Sequence, residues 1–304
     1  MKVVVSGGTG FIGKTLVKYL TETQHEIIVL ARNPVSAKEH FGASVSIERW
    51  NGKASGPWTQ QLNGADAVVN LAGQSIGAKR WTTERKEVIL SSRIDTTSAL
   101  VTAMSEAKQK PSVLINVSGV GYYGNVENGD VTESFPNGND FLANICRQWE
   151  HAASAAETLG SRVVLLRNAV VLERESEALK KMMLPFNMFA GGWLGSGQQW
   201  FPWVHRDDVV RSIEFALQHS NLSGAVNVVA PEATTNKEFC RMLGQAMHRP
   251  CWAPVPSFVL KTVLGEMSEM VLTGQRAVPK KLLDAGFSFR YPTLQECLSA
   301  IFNK

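Results

Sequence analysis

Short apolar runs alternate with helix-spaced apolar positions through the first part of the chain. Lys2–Ser6 is an apolar run ending in glycines, the pattern of a buried strand. Over Phe11–Leu20, Ile12, Leu16, Val17 and Leu20 fall on one helical face. Further strands are predicted at Glu26–Leu30, weakly at Val45–Ile47, and strongly at Ala67–Leu71. A long helix starts near Thr82-Thr83, where either hydroxyl can cap it, and runs to about Ala107, with Pro111 beyond it as a stop. Strands at Val113–Val117 and Arg162–Leu166 flank a helix over Ala143–Leu159, for which Gly160 is the C-cap. Strands joined by helices of this length imply right-handed crossovers and a parallel sheet covered on both faces. The predicted class is α/β, a Rossmann-type doubly wound parallel sheet with a smaller C-terminal lobe.

After Ala169 the rhythm loosens. Gly191–Trp203, rich in glycine and aromatics, reads as a shaped loop. A helix begins near His205-Arg206-Asp207-Asp208, and Ala225–Val229 is a strand. Thr235 with Glu238, and Thr293 with Glu296, spell capping boxes. From Pro254 to Lys304 the pattern is helical segments broken by proline and glycine. The expected division is a dinucleotide-binding domain over 1–230, with insertions toward a substrate lobe from about 170, and a small, mostly helical domain over 231–304.

Composition narrows the class without naming a substrate. The 304 residues are 44% hydrophobic and 19% charged, an ordinary globular balance with length enough for a sizeable core. The net charge of +4 (31 basic against 27 acidic residues) comes with no basic run, so no nucleic-acid or membrane partner is expected. Cys146, Cys240, Cys251 and Cys297 lie far apart without a CxxC pair, which speaks for reduced thiols rather than a metal site or a disulfide framework. No apolar run approaches the ~20 residues of a membrane helix, and the chain starts on a strand rather than a signal peptide. A soluble, cytoplasmic protein is the expectation.

The chemistry-bearing motif stands at the start. Gly8-Thr9-Gly10-Phe11-Ile12-Gly13 satisfies GxGxxG and, with Gly7, also GxxGxxG. Alone it is weak, but here it follows a predicted strand and opens a predicted helix, the context that gives it meaning. Glycines allow the tight turn and close backbone approach, and the helix N-terminus offers free amides to a pyrophosphate. Gly7, Thr9, Gly10, Phe11, Ile12 and Gly13 are therefore predicted cofactor contacts. The second strand ends Ala31-Arg32 with no carboxylate for a ribose 2′-hydroxyl. A guanidinium suits a 2′-phosphate, so the predicted cofactor is NADP(H) rather than NAD, with Ala31 and Arg32 at the adenosine ribose. The alternative, a solvated loop arginine, remains open.

These residues resemble the extended short-chain dehydrogenase/reductases, the NAD-dependent epimerase/dehydratase family. More narrowly they resemble an atypical branch classed with sugar-nucleotide epimerases, which ends in a small C-terminal domain of unknown function. The likeness covers nearly the whole chain: Gly7–Gly13, Asn70-Leu71-Ala72-Gly73, Arg80-Trp81, Ser91-Ser92-Arg93, Ser118–Gly124, Trp149-Glu150, Trp203–Asp208 and Gly274–Lys280. The resemblance implies that Leu71, Ala72 and Gly73 line the adenosine and ribose side, that Ser118 points toward the nicotinamide, and that Arg93 faces cofactor or substrate. It places the substrate cleft under the C-terminal lobe. A homodimer through the long helices is family analogy only, and the oligomeric state stays open.

One departure matters. Family enzymes place Tyr and Lys four residues apart, the lysine lowering the phenol's pKa so that it can shuttle a proton. Tyr19, Tyr122, Tyr123 and Tyr291 are followed four residues later by Thr23, Val126, Glu127 and Gln295. Aligned on Trp149-Glu150, the dyad falls on Leu142 and Cys146. Tyr122 and Tyr123, with Ser118, become the candidate catalytic groups, against the alternative that the tyrosines wall the pocket and the serine caps a strand. Lys86, Glu87 and Arg93 share one helix; Glu87 and Arg93 are expected cofactor contacts, a solvated charged face being the alternative. His205 is expected to be structural, Cys146 a core residue, and Trp193, Trp200, Phe201 and Trp203 either a ligand wall or interlobe packing. The expected function is an NADP(H)-dependent epimerase or reductase acting on a sugar nucleotide or similar small polar substrate. The alternative is an NADP(H)-binding regulator or scaffold, for which some relatives carry a cell-division label.

Overall fold

The computed structural model describes residues 1–303; Lys304, the last residue of the expected C-terminal domain, lies outside the described residues. In chain order the strands are β1 (Lys2–Ser6), β2 (Glu26–Ala31), β3 (Ser46–Arg49), β4 (Ala67–Asn70), β5 (Val113–Gly119), β6 (Val126–Val131), β7 (Arg162–Asn168), β8 (Val170–Leu172), β9 (Trp203–His205), β10 (Gly224–Val228) and β11 (Gln275–Ala277). The helices are α1 (Phe11–Glu22), α2 (Pro34–Phe41), α3 (Thr83–Glu106), α4 (Phe141–Ser154), α5 (Glu177–Asn187), α6 (Arg206–Gln218), α7 (Asn236–Ala246), α8 (Ser257–Leu264), α9 (Glu269–Leu272), α10 (Lys280–Asp284) and α11 (Leu294–Phe302).

Seven strands form one parallel sheet in the order β10-β7-β5-β4-β1-β2-β3. The order reverses direction at β1 and β4, and a doubly wound sheet binds its ligand outside the carboxyl ends at that point. Alternate residues of each strand face opposite layers. Val3, Val5, Ile115, Val164 and Leu166 pack with Leu16, Val17 and Leu20 of α1 and Val209, Val210 and Ile213 of α6. Val4, Leu30, Val68, Leu114, Val163 and Leu165 pack with Leu100 and Met104 of α3 and Ala153 of α4. This is the doubly wound α/β fold expected from the sequence.

A third core, with Leu172, Leu179, Phe186, Phe201, Trp203, Phe239, Leu243 and Leu298, belongs to the C-terminal lobe. The lobe does not stand apart. Ala277, Leu282 and Phe287 return to the core of the main sheet, and β11 pairs with β6. Among the described residues no helix is long and apolar enough to cross a membrane.

Most predicted elements recur within a residue or two, with Thr82 rather than Thr83 capping α3 and both capping boxes formed. The differences have physical causes. The segment after Arg32 forms α2, capped by Asn33 with Pro34 in its first turn; it buries only Ala37, so it shows no apolar period. The helix expected over Ala143–Leu159 starts earlier, at Phe141, because Asp140 accepts from the Ala143 amide, and its last turn tightens into a 3-10 helix before Gly160 at φ +83°. Strands β6 and β11 are polar or short and exist by pairing with each other, a tertiary cause invisible to local pattern.

Candidate cofactor cleft and active site

The chain leaves β1 into a turn that only glycines can make. Gly7 has φ +69°, and a Cβ there would lie 2.7 Å from the Leu71 carbonyl carbon, so the loop after β4 crosses directly over it. A Cβ on Gly13 would lie 2.3 Å from the Gly7 oxygen, so α1 abuts its own entry loop. Gly10 is the N-cap of α1 and offers no side-chain acceptor, and the first turn holds no acidic residue. The amides of Phe11, Ile12 and Gly13 thus open toward the carboxyl edge of the sheet without a side-chain cap, which suits an anion. Thr9 is exposed beside them.

On the β2 side, Ala31 is buried and Arg32 is exposed, with no ion pair or side-chain hydrogen bond among the described residues. On the β4 side, Leu71 and Ala72 are half-buried and Gly73 is exposed. The Leu71 amide donates to the Ser6 oxygen (3.1 Å) and the Ala72 amide to Asn70 Oδ1 (3.2 Å). A buried polar chain fixes this loop. Ser6 Oγ donates to Asn70 Oδ1 (2.6 Å), and Asn70 Nδ2 donates to Asn116 Oδ1 (2.6 Å) and Thr97 Oγ1 (2.9 Å). Trp149 Nε1 also donates to Thr97 (2.9 Å).

Arg93 lies on that platform. It is 7% exposed, its guanidinium sits 5.0 Å from the Trp149 ring centre, and Gly73 leaves room for it. Nη1 donates to the Ile89 oxygen (3.0 Å), while Nε has no partner among the described residues. Burial pulls its pKa down from 12.5 to about 10, the nearby Cys146 opposing and Arg85 adding to the fall. A buried cation without a carboxylate is costly, and an anionic ligand at the cleft would relieve it. Glu87, expected as a cofactor contact, is exposed on α3, whose buried face runs through Ile89, Arg93, Thr97 and Leu100. Lys86 is held by Glu266 at 2.5 Å.

Ser118, at the carboxyl end of β5, belongs to a second buried network. Its Oγ donates to Glu150 Oε1 (2.8 Å), and Glu150 is gripped at both oxygens by Arg167 Nε (2.9 Å) and Nη2 (2.8 Å). Burial pulls Arg167 down, but the Glu150 carboxylate more than offsets this and holds its pKa above the ordinary value. Arg167 Nη1 also donates to Tyr123 Oη (2.9 Å), and Tyr123 donates to Asn227 Oδ1 (2.6 Å). Asn227 Nδ2 in turn reaches the Val278 oxygen (2.9 Å), which ties the C-terminal lobe to the sheet. Burial pushes the Tyr123 phenol up to about 12. At 2% exposure, with both hydrogen-bonding directions used, Tyr123 acts in this structure as a strut. Tyr122 differs: its ring stacks under Arg167 at 3.4 Å and is half-buried, with no protein partner for its hydroxyl among the described residues.

Leu142 and Cys146, on which the alignment at Trp149-Glu150 puts the family dyad, are an alkyl side chain and a thiol. Leu142 and its neighbour Phe141 pack in an apolar group with Trp81, Ile89, Ile145 and Met267. Cys146 is buried, and burial, with the Glu150 carboxylate adding to it, pushes its thiol up to about 11. His205 caps α6, its Nδ1 accepting from the Asp207 amide (3.0 Å), and stacks on Tyr291, the structural role expected of it. Within the lobe Phe201 lies on Phe239 and Trp203 Nε1 donates to Thr234 Oγ1, while Trp200 Nε1 reaches across to the Glu127 oxygen of β6 (3.1 Å). Sequence reasoning gave no role to Glu150, Arg167 or Asn70; for Arg167 and Asn70 the available signal was a charged or amide residue within or closing an apolar strand run, and for Glu150 an acid on the buried face of α4.

Comparison with known proteins agrees with this geometry. The NAD dependent epimerase/dehydratase family matches residues 3–229, and a domain of unknown function, DUF1731, matches residues 255–301. The epimerase family protein SDR39U1 homolog, chloroplastic, of Arabidopsis thaliana is 43% identical over 99% of this chain and 86% of its own length. The crystal structure of human epimerase family protein SDR39U1 (isoform 2) with NADPH superposes with a TM-score of 0.89 at 35% identity, covering 100% of both chains. A nucleoside-diphosphate sugar epimerase from Corynebacterium glutamicum gives a TM-score of 0.76 at 28% identity, over 99% of this chain and 58% of that one. The chain belongs to the NAD dependent epimerase/dehydratase family.

Proposed function

We propose that the protein is an NADP(H)-dependent epimerase or reductase acting on a sugar nucleotide or similar small polar substrate. The observation that carries this reading is the uncapped N-terminus of α1 behind the glycine turn, flanked by an unpaired Arg32 and a buried, carboxylate-free Arg93. The α1 amides would hold the pyrophosphate, Arg32 the 2′-phosphate, and Arg93 a further oxygen of cofactor or substrate. The NADPH in the human relative and the sugar-nucleotide name of the Corynebacterium neighbour support the same assignment. Bound cofactor would carry the hydride: NADPH would give one to a carbonyl in a reduction, and NADP+ would take one from a sugar carbon and return it in an epimerisation.

The chain's own residues then handle the proton. Ser118 spends its hydrogen on Glu150, so toward a ligand it is an acceptor and holds a substrate hydroxyl by its lone pairs. Tyr122 is the phenol left free to pass a proton, since Tyr123 is tied to Arg167 and Asn227. The cell compartment that fits four free thiols is the cytoplasm. The test is twofold: NADPH oxidation followed at 340 nm over nucleotide-linked keto sugars and simple polar carbonyl compounds, and chromatographic detection of the epimer after incubating nucleotide sugars with NADP+. Turnover that disappears in Tyr122→Phe, while NADPH still binds, supports the reading; turnover equal to wild type removes Tyr122 from it.

A second reading, an NADP(H)-responsive regulator or scaffold, is favoured by one observation: Leu142 and Cys146 make the dyad position apolar and inert. It expects partner capture that changes with NADPH. A partner set indifferent to the nucleotide counts against it.

A further inference from the structure

The carboxyl end of β7 holds an amide with nothing to bond. Asn168 is 9% exposed, yet neither Oδ1 nor Nδ2 has a partner among the described residues, and no other residue there has both a donor and an acceptor orphaned. Buried amides are almost always paired, and one left bare is expensive, so an asparagine held this way points to a ligand. Its main chain is in register with Gly119 on β5 and Val228 on β10, and the following amide, Ala169, donates to the Val228 oxygen. Side-chain alternation puts Asn168 on the face of Val164 and Leu166, which is also the face that carries α1. There the N-termini of α1 and α6 meet, with Arg206 5.3 Å from the Phe11 ring. On the neighbouring strand Gly119 has no side chain, and a Cβ there would touch nothing nearer than the Asn168 oxygen at 3.7 Å.

The direction of a bound dinucleotide follows from the two ends already placed. The glycine turn follows β1 and Arg32 follows β2, so the other half runs the opposite way along the sheet, over β4, β5 and β7. Asn168 lies three strand spacings from β1, roughly 14 Å. We propose that Asn168 pairs with the carboxamide of the nicotinamide, Nδ2 donating to its oxygen and Oδ1 accepting from its NH2 group. This rests on the NADP(H) reading above. A primary carboxamide mirrors the planar donor and acceptor of the asparagine, and the pair would fix which face of the ring turns toward the substrate.

Calorimetric titration with three probes tests this on the intact protein: NADP+, its 3-acetylpyridine analogue (a methyl replacing the amide NH2), and 2′-phospho-ADP-ribose, which lacks the ring. Wild type should prefer NADP+ to the analogue about tenfold. In Asn168→Ala and Asn168→Leu, NADP+ affinity should fall about tenfold, the preference over the analogue should vanish, and phospho-ADP-ribose affinity should not change. The analogue comparison on wild type needs no variant, so a poorly folding substitution does not spare the proposal. Equal wild-type affinity for NADP+ and the analogue overturns it, as does an equal loss for phospho-ADP-ribose in the variants. Wild type that binds none of the three overturns the cofactor reading itself and this pairing with it.

Discussion

Replacing Arg93 by methionine should stabilise the ligand-free protein and weaken its grip on NADPH. The guanidinium is 7% exposed and has no carboxylate partner among the described residues, and burial lowers its pKa from 12.5 to about 10. At neutral pH, below both values, the full cost of holding the charge in the folded state is present, about 3 kcal/mol. Methionine loses the hydrogen bond to the Ile89 oxygen, about 1 kcal/mol, and the stacking on Trp149, about 0.5–1 kcal/mol. The net expectation is a gain of about 1–2 kcal/mol, read as a melting temperature roughly 1.5–3 °C higher for a chain of this size. NADPH affinity should fall by about tenfold to a hundredfold, the loss of a charge-assisted contact. Thermal unfolding of both proteins, with and without saturating NADPH, measures both effects in one series. A variant that melts lower without ligand and binds NADPH as wild type does would refute the reasoning, because Arg93 would then be an ordinary structural residue.

Other consequences follow from the buried networks. Glu150→Ala leaves Arg167 buried and unpaired and should cost about 3–5 kcal/mol in urea unfolding, whereas Glu177→Ala at the exposed Lys181 pair should cost under about 1 kcal/mol; similar costs would contradict the assignment. Tyr123→Phe should lose about 1–3 kcal/mol of stability by orphaning Asn227 and one Arg167 donor, while Tyr122→Phe should leave stability within about 0.5 kcal/mol. Gly13→Ala forces a Cβ to within 2.3 Å of the Gly7 oxygen, so the turn must open; NADPH affinity should drop at least about tenfold, and unchanged affinity would mean that the turn is not the pyrophosphate site.

The sheet and its helices were legible because each strand except the polar edge strand β3 is apolar enough to be buried on both faces, and most of the principal helices have one apolar side. Lys2–Ser6 and the glycine turn after it stand as expected from their spacing alone. Helix α2 was not legible, since it buries Ala37 alone, and β6, running Val126-Glu127-Asn128-Gly129-Asp130-Val131, owes its form to β11 far along the chain. The site divides in the same way. Gly7–Gly13 and Arg32 could be put forward from motif context, and the loop after β4 from the family resemblance. The pairing of Ser118 with Glu150, and of Tyr123 with Arg167 and Asn227, could not, because those partners come from strands and helices that only the fold brings together. Tyr122 and Tyr123 are neighbours in sequence yet differ in role, since one ring points into the sheet's end and the other lies under a guanidinium.

The central claim is a 2′-phosphate dinucleotide held by the α1 turn and Arg32. Calorimetric titration of wild type and Arg32→Ala with NADPH and NADH tests it most directly. The account predicts that wild type prefers NADPH by about tenfold or more and that Arg32→Ala loses the preference while still binding NADH as wild type does. Equal affinity of wild type for the two nucleotides, or a preference untouched by Arg32→Ala, would contradict it.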